Sequence, residues 1–68
     1  MNEEALNMSV RKFLKTLGVT AQREIETAVR AAASAGRLKD GKPLAAECRI
    51  SVAGIDLSFT VKGEIEHA

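Results

Sequence analysis

The stretch that comes nearest to known chemistry is Gly36 to Pro43, GRLKDGKP, which almost spells the phosphate-binding loop G-x-x-x-x-G-K-[ST]. That loop works because a strand precedes it, a helix follows to aim its N-terminal amides at phosphate, and a hydroxyl residue after the lysine holds magnesium. Here the hydrophobic spacing puts a helix before and a strand after, and Pro43 stands where the hydroxyl should be. The plainer reading, a helix end followed by a charged turn, is preferred.

A second near-match is Leu17-Gly18-Val19-Thr20 followed by Ile25 and Val29, in the manner of a helix-turn-helix. The first buried residue of its second helix would fall one position late, and Glu24 and Glu26 would face phosphates, so an ordinary helical hairpin is preferred. Cys48 lies on the apolar side of an alternating segment with nothing basic near it, as a small hydrophobe does rather than a nucleophile. His67, one residue from the C-terminus beside Glu64 and Glu66, is expected in a frayed tail, with no ligand spacing that completes a metal site. Asp40 and Asp56 have no paired carboxylate at usable spacing for acid–base work. No catalytic constellation, cofactor or metal is therefore predicted, and the chain is read as not an enzyme.

The remaining chemistry is charge. Net charge is only +1, yet Arg11 to Lys42 holds eight basic and three acidic residues, a net of +5, while the rest holds two and six, a net of −4. If Arg11, Lys12, Lys15, Arg37, Lys39 and Lys42 converge, they form a site for an anion or a nucleic acid; separately they are solvated side chains and helix-end cations. Stacking of single-stranded nucleic acid wants exposed aromatics, and Phe13 and Phe59 are the only two aromatics in the chain.

Something must position these groups. Asn2 is a predicted N-cap, with Glu3 and Glu4 complementing the helix dipole. Leu6, Val10, Phe13, Leu14 and Leu17 recur at helical spacing, and Gly18 is read as the stop. Thr20 would cap a second helix with a thin stripe of Ala21, Ile25, Ala28, Val29 and Ala32, ended by Gly36. After the loop closed by Pro43, apolar and polar residues alternate along Ala46, Cys48, Ile50, Val52 and along Ile55, Leu57, Phe59, Val61, the period of half-buried strands. Folding about Ala53 and Gly54 pairs Val52 with Ile55, Ile50 with Leu57, Cys48 with Phe59 and Ala46 with Val61, all on one face. The predicted elements are helices at about 2–17 and 20–35 and strands at about 44–52 and 55–65.

The fold class expected is α+β, two helices on one face of an antiparallel hairpin, as a single domain over residues 1–68. A chain of about 60 residues buries only roughly 60% of its unfolded surface. A lone cysteine cannot form an internal disulfide, which leaves oligomerisation to stabilise a small core. With both sheet edges open, a homodimer is predicted, through edge pairing of hairpins or exchange of helices. No apolar run reaches the roughly 18 residues of a membrane helix, and the acidic N-terminus differs from a basic signal peptide, so a cytoplasmic protein is expected.

The segments Ala5–Val29, ALNMSVRKFLKTLGVTAQREIETAV, and Ala53–Glu66, AGIDLSFTVKGEIE, resemble a small bacterial family described as a domain of unknown function. The stretch Ala31 to Pro43 resembles it least. The resemblance implies a compact bacterial protein of this length standing alone, and it brings no activity, ligand or functional residue. The leading functional expectation is a small protein-interaction module; the runner-up is electrostatic binding of nucleic acid through Arg11 to Lys42.

Overall fold

The computed structural model describes all residues, Met1–Ala68. It divides into two compact units, Met1–Arg37 and Leu38–Ala68. The first is a helix and the second a β-hairpin, an α+β composition.

One helix, α1 (Glu3–Ser34), spans the region where two were expected. Its 32 residues extend about 48 Å at 1.5 Å per residue. Asn2 caps it, its Oδ1 accepting from the Ala5 amide at 3.0 Å, with Glu3 and Glu4 in the first turn. Gly18 does not terminate it. A left-handed stop needs a positive φ, and in this unit only Gly36 has one, at 74°. The reason the helix continues lies in its phase. Leu17 and Ala21 are four residues apart, so the stripe ending at Leu17 and the one starting at Ala21 form a single unbroken face. Carrying that face on outweighs the roughly 0.5–1 kcal/mol that a mid-helix glycine costs relative to alanine. Thr20 accordingly sits inside the helix and caps nothing.

The true end is at Gly36. The Gly36 amide donates to the Ala33 carbonyl and the Arg37 amide to the Ala32 carbonyl, each at 3.0 Å, the paired bonds of a Schellman motif.

In the second unit, β1 (Leu44–Val52) pairs antiparallel with β2 (Leu57–Ile65). Pro43 directly precedes β1, where a residue without an amide hydrogen is tolerated. The inner face is as expected, but the register differs by two: Val52 pairs with Leu57, Ile50 with Phe59, Cys48 with Val61, Ala46 with Gly63 and Leu44 with Ile65. Ile55 therefore belongs to the turn and not to the strand. A two-residue loop at Ala53-Gly54 would require positive φ at Ala53, which strains a residue with a Cβ. The four-residue turn Ala53 to Asp56 instead puts positive φ on Gly54 (93°) and Asp56 (53°), types that tolerate it. On the outer face the shift sets Glu47 opposite Lys62, a favourable cross-strand charge pair.

No residue of the chain is buried. Leu17, Ala21, Val29 and Ala32 on the helix, and Leu44, Ala46, Cys48 and Ile50 on β1, are half-buried. Phe13 is 55% exposed and Val61 54%. Each unit thus carries an apolar face open to solvent.

Candidate functional site

Arg11, Lys12 and Lys15 project from the N-terminal half of α1 within little more than one turn. None is ion-paired, because the single salt bridge of the chain joins Arg30 to Glu26. Arg37 lies just past the far end of the same helix, about 30 Å along the axis from Lys15. Within the helical unit, then, the four basic residues singled out from the sequence form one cluster of three and one separate cation, with Arg23 and Arg30 on the helix between them. Lys39 and Lys42 belong to the hairpin unit, in the turn that leads to β1.

That turn is built from side chain to backbone. Asp40 Oδ1 accepts from the Lys42 amide at 3.0 Å, and Gly41 takes a φ of 69°. The Lys42 amide, which in a phosphate loop would face the ligand, is occupied by Asp40. Since β1 follows rather than a helix, the likeness of Gly36–Pro43 to a phosphate loop ends at the letters. The helix-turn-helix likeness and the helical hairpin preferred to it both fail for one reason: Leu17–Thr20 is helix, so there is no turn between two helices.

His67 is not a frayed tail. Its Nε2 donates to the Lys42 carbonyl oxygen at 2.7 Å, tying the C-terminus to the loop before β1. This contact joins residues 25 positions apart and exists because Leu44 pairs with Ile65, which brings the ends of both strands level.

The helix holds one further polar arrangement that the sequence reading missed. Gln22 Nε2 donates to Glu26 Oε2 at 2.9 Å, and Arg30 Nη2 donates to Glu26 Oε1 at 3.2 Å. The hydrogen bond from Gln22, followed by that from Arg30, holds the Glu26 carboxyl below the usual glutamate range. The i, i+4 spacing of all three was the available signal. A shallow depression lined by Val19, Gln22, Arg23 and Glu26 adjoins this row. All four come from one helix, so no opposing wall encloses a ligand.

Cys48 is a free thiol on the inner face of β1, half-buried beside Val61. No three His, Cys, Asp or Glu side chains cluster closely enough to hold a metal ion. No helix is long and apolar enough to cross a membrane. Two apolar faces are open to solvent: the stripe of α1, and the sheet face carrying Ile50, Val52, Leu57 and Phe59.

No curated protein and no solved structure matches the chain. The profile of the Family of unknown function (DUF6494) matches residues 1–68, end to end, and the chain belongs to that family.

Proposed function

We propose that this protein is a homodimeric protein-interaction module that acts in the cytoplasm without catalysis of its own. The observation that carries the proposal is the absence of any buried residue in a chain whose helix and hairpin both have a continuous apolar face. In this reading the apolar faces of both copies meet in one shared core. Sedimentation equilibrium at micromolar concentration tests it: a stable dimer supports it, and a cooperatively folded monomer refutes it. Affinity capture of the tagged protein with nuclease present then asks for a discrete protein partner.

The cluster of Arg11, Lys12 and Lys15, unpaired by any acid, favours a second reading, electrostatic binding of nucleic acid. Phosphate contacts release counterions, so affinity for duplex DNA should then fall steeply between 50 and 200 mM salt, roughly one unit of log–log slope per contact. Affinity that is flat in salt would end this reading.

A further inference from the structure

Resting on the homodimer reading, we infer that two copies join through α1, as an antiparallel helix pair with its two-fold axis level with residue 19. Taking one apolar position per turn, the central seam of α1 (Leu6, Val10, Phe13, Leu17, Ala21, Ile25, Ala28, Ala32) is spaced 4, 3, 4, 4, 4, 3, 4, a series that reads the same in both directions, with Leu14 and Val29 flanking it. A two-fold axis at its midpoint therefore superposes this seam of one copy on that of the other, while the flanking Leu14 comes level with Glu24 and Val29 with Ser9. Leu6 meets Ala32, Val10 meets Ala28, Phe13 meets Ile25 and Leu17 meets Ala21.

Three of these four pairs set a larger side chain against an alanine. The bulky half of one stripe fills the space left by the thin half of the other, which keeps the separation of the axes even along the pair. A parallel pair would bring Leu6, Val10, Phe13 and Leu17 together at one end and alanines at the other, splaying the helices. The spacing averages about 3.7 residues per step, above the 3.6 of a straight helix, so the seam drifts around the helix in the sense that gives a right-handed crossing.

Charge agrees with the antiparallel sense. Glu3 and Glu4 in the first turn come level with the C-terminal end of the second copy's helix, where Arg37 stands just past it as a cation of opposite sign. The thin alanine stripe, which looks too weak to hold a core by itself, is the complement of the other half of the same helix.

The test is a pair of spin-label distances in the full chain carrying Cys48→Ala, so that each added cysteine is the only thiol. Met8 and Arg30 are exposed, lie off the stripe, and are symmetric about residue 19. In the antiparallel pair, labels at Met8→Cys in both copies are offset along the axis by 22 residues, about 33 Å. A refolded mixture of Met8→Cys and Arg30→Cys proteins brings unlike labels level, at about 20 Å, the width of two helices. A dimer in sedimentation with both distances supports the inference. A dimer whose Met8 labels lie about 20 Å apart is parallel and overturns it, as does a dimer in which the mixed pair shows no short distance; in both cases the homodimer reading survives. A monomer in sedimentation overturns the reading and the inference together.

Discussion

His67 and Lys42, 25 residues apart in the chain, are joined by a 2.7 Å hydrogen bond from the imidazole Nε2 to a backbone carbonyl oxygen. The bond closes the open end of the hairpin opposite its turn. It gives the loop before β1 two anchors, the second being Asp40 on the Lys42 amide. His67→Ala should destabilise the hairpin by about 0.5–1.5 kcal/mol and speed amide exchange at Leu44 and Ala45 while leaving Ser51 and Ser58 near the turn unchanged. Equal acceleration along both strands would show that the bond does not act locally.

Gly18 distinguishes one helix from two. Its position is helical, and an added Cβ would meet nothing within 4 Å. Gly18→Ala should raise stability by about 0.5–1 kcal/mol, seen as a higher midpoint in thermal melts followed by circular dichroism. A lower midpoint would mean that a left-handed residue is needed there. Gly54→Ala, at a φ of 93° with equally open surroundings, should do the opposite and cost about 1–2 kcal/mol.

The hairpin register is tested by charge exchange. Glu47 faces Lys62 and not Thr60. Glu47→Lys should cost about 0.2–1 kcal/mol, and adding Lys62→Glu should recover most of it, since opposite charges again face each other. A double-mutant cycle between positions 47 and 62 that shows no coupling would contradict the register.

Glu26 sets a pH dependence. Its folded-state pKa lies below that of the unfolded chain, chiefly through the hydrogen bond from Gln22 and next through Arg30. The stabilisation is therefore complete at pH values above the usual glutamate range and is lost as acid titrates the depressed carboxyl. Carboxyl chemical shifts followed by NMR should show Glu26 titrating at lower pH in the wild type than in Gln22→Ala. Identical curves in both proteins would remove Gln22 as the leading cause.

Ile50 and Ser58 test the assignment of faces. Ile50 is half-buried on the inner face, and Ser58 points outward opposite Ser51. In the dimer proposed above, Ile50→Asp puts an unpaired carboxylate into the shared core and should cost several kcal/mol, read as loss of dimer in sedimentation. Ser58→Lys should leave the dimer intact. Similar behaviour of the two variants would mean that the inner face is not covered.

Much of this architecture follows from the residues alone, and what did not follow has a definable cause. The strand faces were legible because alternation has a period of two, and a slip of one residue would have put Arg49 among Leu57 and Phe59. The register was not, because a slip of two preserves every face; the φ requirements of Ala53, Gly54 and Asp56 decided it. The contact of His67 with Lys42 followed from that register, so no reading of the tail by itself could find it. In the helix, the caps at Asn2 and Gly36 were readable from residue type, whereas the glycine at position 18 misled because its type was weighed above the unbroken spacing from Leu17 to Ala21. The basic residues could be named from the sequence, but their spacing in three dimensions needed the continuous helix, which holds Arg37 about 30 Å from Lys15. Residue types and periods determined which faces this protein has, because side-chain direction repeats locally; only the folded chain decided which residues meet, because pairing depends on backbone conformations that many sequences share.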